Sequence, residues 1–127
     1  MASPVEVRAY IIWLEADGIV RVKAKPHVTI TLEDAKACVR TIREVCGGKL
    51  TPSLVDMTGI VAIDREARLY FAGAETAQVE AAVALIINSP VARAIGNFFM
   101  GLNKPILPTR LFTSEAEALD WLKGFVR

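Results

Sequence analysis

Apolar and basic residues take turns along Val20–Lys25, where Val20, Val22 and Ala24 alternate with Arg21, Lys23 and Lys25. A period of two predicts a strand with one buried face and one solvated basic face. Pro26 ends it, since proline has no backbone N–H to give to a ladder. Upstream, "VEVRAYIIWLE" is β-branched and aromatic with partial alternation, which predicts a strand over residues 5–15. Asp17-Gly18 lies between the two runs and reads as a hairpin turn, because both residues tolerate positive φ.

The pattern then changes period. In "TLEDAKACVRTIREVCGG", Leu32, Ala35, Val39, Ile42 and Cys46 recur at helical spacing and form a buried face. Thr31 is the expected N-cap, with Glu33 and Asp34 in the first turn, where the helix dipole favours negative charge. Gly47-Gly48 stops the helix. Leu54 to Met57 is expected to be a short buried strand, and a second helix follows from near Asp64 to about Ala72. "VEAAVALIIN" suits either period, but Ser-Pro follows at once, which favours a strand over residues 82–87. Ser89 as N-cap and Pro90 at the first helical position open a third helix that ends before Asn103-Lys104-Pro105. "PTRLF" is a short last strand, and Ser114 with Glu117 caps a final helix.

Strands that alternate with helices after an opening hairpin imply an α/β fold of order β-β-α-β-α-β-α-β-α. Its sheet is mainly parallel and packed against helices. At 127 residues the chain is expected to form one domain. A content of 53% apolar residues excludes intrinsic disorder. A formal net charge of +1 gives no reason to expect nucleic acid or an anionic membrane as partner. No apolar run approaches the roughly 20 residues of a membrane span, and "MASPVEVR" lacks a signal-peptide layout. A cytoplasmic protein without membrane insertion is expected. Cys38 and Cys46 fall eight residues apart in one helix, about 12 Å along its axis, too far for a disulfide. Both are expected as buried free thiols. No cofactor or metal site is expected either, since His27 is the only histidine.

The element order, together with "LVDMTGIVAID" after the third strand, resembles the STAS domain, the fold of bacterial anti-sigma-factor antagonists. In that family an Asp-Leu-Ser-like turn follows the third strand. An Asp-Ser-Ser-Gly-like turn then opens the second helix and carries the serine that a partner kinase phosphorylates. Asp56-Met57-Thr58-Gly59 matches the first turn, and Asp64 matches the aspartate of the second. "IDREAR", "SPVARAIGNFFMGLNKP" and "PTRLFTSEAEALDWL" look more particularly like an uncharacterised bacterial branch, described by fold and often jointly with the CRAL-TRIO lipid-exchange fold. Where the family's serines stand, this chain has Arg65 and Glu66, and no hydroxyl remains at the switch position. The resemblance thus implies a regulatory module without the kinase-operated switch. Glu66 would be a weak, permanent imitation of the phosphate, with a charge of −1 against about −1.5 to −2.

Two groups of candidate partner-binding residues follow. Asp56, Thr58, Asp64 and Glu66 lie at the carboxyl ends of strands, where open α/β sheets bind ligands. The plainer reading makes Asp56 and Thr58 turn residues and Asp64 with Glu66 a helix cap and dipole charge. Thr58 is the one hydroxyl left in this junction. In the third helix Val91, Ile95, Phe98 and Leu102 form a stripe expected in the core. Phe99 and Met100 lie off that stripe and are expected to be exposed, as a contact surface for an unidentified protein partner or for a second copy in a homodimer. Lys36, Arg40 and Arg43 share one face of the first helix and are read, with Arg21, Lys23 and Lys25, as solvated. Nothing in the chain forms a catalytic constellation, so the expectation is a non-enzymatic module that binds a protein. The alternative is a small-molecule or lipid carrier with an apolar pocket between sheet and helices.

Overall fold

A computed structural model describes residues 3–127. The opening run is not one strand but two. β1 (Val5–Glu6) and β2 (Tyr10–Leu14) pair antiparallel, and the Val7 N–H closes the reversal on the Tyr10 carbonyl at 2.9 Å. Arg8 leaves the strand face at this bend, its guanidinium bonding Asp34 and the Thr29 carbonyl. A local period cannot register such a remote partner. β3 (Val20–Ala24) pairs antiparallel with β2 across the expected turn, where Gly18 has φ +81° and Asp17 accepts from the Ile19 N–H.

From β3 onward the sheet is parallel: β3, β5 (Thr51–Asp56), β7 (Glu80–Ile86) and β8 (Thr109–Phe112) complete the order β1-β2-β3-β5-β7-β8. Residues 82–86 of the expected 82–87 are strand, as Ser-Pro after them implied. Two further strands, β4 (Val28–Ile30) and β6 (Ile60–Ile63), pair parallel in a small second sheet that the sequence reading lacked. β4 is too short to show a period, and β6 is an unbroken apolar run that fits either period. Gly59 makes their approach feasible. A Cβ there would lie 2.3 Å from the Lys25 carbonyl oxygen, and the Gly59 carbonyl accepts from the Val28 N–H at 3.0 Å.

α1 (Leu32–Val45) starts at Thr31, whose hydroxyl accepts from the Asp34 N–H while the Asp34 carboxylate accepts from the Thr31 N–H. Arg8 beside it holds the Asp34 carboxyl below the usual range, aided by the Thr31 bonds. α2 (Arg65–Ala72) is followed by a single extra turn, α3 (Ala74–Ala77). α4 (Pro90–Phe98) runs on into a π-helical turn over Phe99–Asn103, and α5 (Glu115–Leu122) closes the chain. Both N-cap serines accept as expected, Ser89 from Ala92 N–H and Ser114 from Glu117 N–H. α1, α2 and α4 share one apolar core with one sheet face, and α5 packs on the other face against Leu54, Ala82, Ala84 and Ile86. Cys38 and Cys46 are free and buried, while Lys36, Arg40 and Arg43 lie exposed on the outside of α1.

α4 is rotated relative to the reading of its apolar stripe, of which Ile95 alone packs on the core as expected. Val91, Phe98 and Leu102 are 46%, 48% and 64% exposed, while Phe99 is buried and Met100 packs partly buried on the core. The expected exposed surface of Phe99 and Met100 is therefore not formed. Ala92, Gly96 and Phe99, at i, i+4 and i+7, face inward instead. The reason is steric. A Cβ on Gly96 would sit 3.0 Å from Ile87 and 3.2 Å from Leu111, so the helix lies close to the sheet along its small residues. Close approach of the helix backbone to the Ile87 and Leu111 side chains gains dispersion contacts that a stripe of large side chains would prevent.

Candidate functional site

Asp56 ends β5, and its side chain folds back into the following turn. One carboxylate oxygen accepts from the Thr58 N–H at 3.0 Å and from the Thr58 hydroxyl at 2.6 Å. This is the local turn bond that aspartate makes two residues on. Asp64 is N-cap of α2 by its extended backbone, but its side chain makes no cap hydrogen bond. The cap expected of it is absent, and its N–H is instead tied to the Ile30 carbonyl at 2.9 Å. Asp64, Arg65 and Glu66 are all exposed. Among the described residues no hydrogen bond or ion pair joins the Asp56–Thr58 turn to the Asp64–Glu66 turn. The four residues of β6 stand between them, a span of about 10 Å at ~3.3 Å per residue. The junction is two exposed turns at the strand carboxyl ends, not one cluster.

Beside these turns lies an apolar surface. Of eight large apolar residues that are exposed among the described residues, six come from neighbouring elements: Val61, Leu69, Val91, Phe98, Leu102 and Ile106. Singly scattered residues of this kind need no explanation, but a shared side does. Contacts join these elements: α4 packs beside β6, and the π-helical turn packs against α2. The Ile106 N–H bonds the Ala72 carbonyl at 3.1 Å, which brings the loop before β8 to the end of α2. Arg68 lies at the seam, its guanidinium 4.7 Å from the centre of the Phe98 ring and its Nη1 donating to the Ile63 carbonyl at 2.7 Å.

Beneath that surface, between the sheet and α1, α2 and α4, is a cavity of about 60 Å³. Most of its lining is apolar, from residues such as Val22, Leu85, Ile95 and Phe99. Glu80, at the head of β7, also lines it and is only 3% exposed. Burial raises its carboxyl to about pKa 7, opposed by the neighbouring Ser53 hydroxyl. That contact is not a hydrogen bond of ordinary geometry, because Ser53 Oγ is buried without a partner. Burial likewise pushes the Tyr10 hydroxyl and the Cys38 thiol, both on the lining, well above their usual values. Arg68 Nε is another buried polar atom without a partner on this wall.

Sequence reasoning passed over Glu80, Arg68 and Phe98 as functional candidates. The one available signal for Glu80 is a lone acid heading the otherwise apolar run "AAVALII". No three His, Cys, Asp or Glu side chains among the described residues are grouped to hold a metal. No helix among them is long and apolar enough to cross a membrane.

Similar proteins bear on this arrangement. An uncharacterised DUF3478-family protein with a SpoIIAA-like fold, from Shewanella loihica PV-4, matches with a TM-score of 0.57 and 23% identity. The match covers 96% of this chain and 98% of that one. The anti-sigma factor antagonist SpoIIAA, in its unphosphorylated form, matches with a TM-score of 0.57 and 15% identity over 91% of this chain and 99% of its own. A protein of unknown function from Arthrobacter sp. FB24 is 35% identical over 87% of this chain and 96% of its own, with a TM-score of 0.35. No curated protein matches the chain. The first two likenesses show a SpoIIAA-like, STAS-type fold. The model of a domain of unknown function, DUF7793, matches residues 12–126, and the chain belongs to that family.

Proposed function

We propose that this chain is a non-enzymatic STAS-type regulatory module that works by docking a protein partner, without phosphoryl transfer at the second-helix junction. The observation that carries the reading is the outward apolar face of α4 and its neighbours, centred on Phe98 and Leu102. A patch of this kind with polar turns beside it has the make-up of a protein interface, an apolar centre and a polar rim. Asp56, Thr58, Asp64 and Glu66 supply that rim at the strand carboxyl ends. Phe98, stacked under Arg68, is the anchor, since aromatic and arginine side chains dominate interface energetics. Arg65 and Glu66 offer no hydroxyl for a kinase, so Glu66 is a fixed charge rather than a switched one.

The cavity limits the carrier reading. One water needs about 10–15 Å³ of such space, so 60 Å³ admits a handful of non-hydrogen atoms and no lipid chain.

A photo-crosslinking residue placed at Leu102 tests the proposal in the cells the chain comes from, with Glu115 on α5, across the sheet, as the control position. The expected result is one discrete adduct from Leu102 and none from Glu115. The adduct's partner, identified and purified, should bind the wild-type chain at least tenfold more tightly than Phe98→Asp. No adduct, or the same adducts from both positions, overturns the reading.

A further inference from the structure

We propose that the cavity between the sheet and α1, α2 and α4 binds a small aliphatic ammonium ion, with the Glu80 carboxylate as its counter-ion. The inference goes beyond the docking surface and does not depend on it. Glu80 is buried on the cavity wall and forms no ion pair among the described residues, and the Ser53 hydroxyl beside it is unbonded. A carboxyl group placed in apolar surroundings without a partner is costly, and here the surroundings are a space rather than packed side chains.

The other polar groups on the wall do not answer it. The Thr76 hydroxyl donates to the Tyr70 carbonyl at 2.8 Å, and the Thr109 hydroxyl to the Leu107 carbonyl at 3.0 Å. Arg68, the one cation on the lining, gives Nη1 to the Ile63 carbonyl and its guanidinium face to the Phe98 ring, and its Nε, buried without a partner, makes no bond to Glu80. A ligand that completes this site therefore brings its own positive charge and N–H donors, and an apolar body for the rest of the wall. An ammonium with a chain of about four carbons meets all three conditions within the space of several waters. An anion would meet Glu80 with the same sign of charge. A neutral hydrocarbon would leave the carboxyl unpaired.

The wall also sets how binding depends on pH. The groups near Glu80 are Tyr10 from β2, Cys38 from α1, Cys46 at the end of that helix and Ser53 from β5, while Arg68 from α2 lines the same cavity. Burial raises Tyr10, Cys38 and Cys46 above their usual values, so none of them gains charge near neutrality. Glu80 alone changes charge there, at about pH 7.

Titration of the full chain with n-butylammonium chloride, followed by amide NMR shifts, tests the site, with n-butanol as the uncharged probe of equal length. Saturable shifts are expected at Cys38, Glu80, Val83 and Leu85. Affinity for butylammonium should be roughly tenfold higher at pH 8 than at pH 6, following ionisation of the carboxyl. Butanol should bind at least tenfold more weakly at pH 8. Glu80→Gln should lose butylammonium binding by tenfold or more, and Ile95→Phe, which fills the space from α4 and keeps the carboxyl, should lose it as well. Should either variant fail to fold, the wild-type pH dependence and the butanol comparison decide alone. The proposal is overturned by no saturable shift at about 50 mM, well above a millimolar Kd, by equal binding of the two probes, or by unchanged binding to Glu80→Gln. The first of these outcomes would leave water as the occupant.

Discussion

α1 and α4 flank the same face of the same sheet, and they pack by opposite rules. α1 buries Ala35, Cys38, Val39 and Ile42 and turns Lys36, Arg40 and Arg43 outward, so its large apolar residues and its contact face coincide. α4 buries Ala92, Gly96 and Phe99 and turns Val91, Phe98 and Leu102 outward. The difference lies in what each helix has to offer the sheet. α1 has no glycine and stands off on branched side chains, with charge available for its outer face. α4 has only Arg93 as a charged residue between Pro90 and Asn103, so apolar residues occupy both sides and close packing at Gly96 chooses between them. One helix is finished by its own fold. The other carries a surface that water alone does not suit.

The comparison breaks most visibly in the α1 half. Ile42 is 1% exposed, so Ile42→Ala should cost about 2–5 kcal/mol in denaturant unfolding, the range for a large-to-small change in a closed core. A loss under 1 kcal/mol would mean that α1 is no better packed than α4.

Also on the α1 side, beside Cys38, the buried carboxyl of Glu80 makes stability depend on pH. The folded pKa of Glu80, about 7, lies above its ordinary 4.5. The native state therefore binds this proton more tightly, and its stabilisation is full below pH 4.5 and lost as pH rises to 7. Glu80→Gln removes that dependence. Its stability relative to wild type should rise by about 3 kcal/mol between pH 4.5 and pH 7 and stay level above, at ~1.4 kcal/mol per pKa unit. Paired unfolding curves across this range measure it, and a flat difference would place the carboxyl in water.

Gly96→Leu tests the contact that sets the rotation of α4. Its new side chain meets Ile87 and Leu111 within 3.0–3.2 Å at the first carbon. Overpacking of this sort should cost about 1–3 kcal/mol, against a few tenths for the exposed Gly101, where nothing lies within 4 Å. Equal effects at the two glycines would remove close approach as the explanation.

The smallest effect on stability is expected at Leu102, which is 64% exposed. Leu102→Glu should shift unfolding by no more than about 0.5 kcal/mol, yet it should abolish any self-association seen for wild type by sedimentation at high concentration. A large loss of stability would show that Leu102 belongs to the core after all.

What the chain determined by itself is the part that local chemistry controls. The period-two run of β3, the Asp17-Gly18 turn, the Thr31 and Ser89 caps and the Gly47-Gly48 stop each depend on residues within a few positions of one another. They are legible for that reason. The strand nature of residues 82–86 was legible too, because Pro90 must begin a helix rather than continue one. Tertiary structure alone decided the reversal at Arg8, the pairing of β4 with β6 and the rotation of α4. Each of these rests on a partner distant in sequence: Asp34 for Arg8, Gly59 for Val28, and Ile87 with Leu111 for Gly96. The polar turns at Asp56 and Asp64 could be located in the sequence, but not the roughly 10 Å of β6 that separates them. The apolar face of Phe98 and the cavity around Glu80 were beyond it for the same reason. A helical period says which residues share a side, and only contact with the sheet decides which side is in.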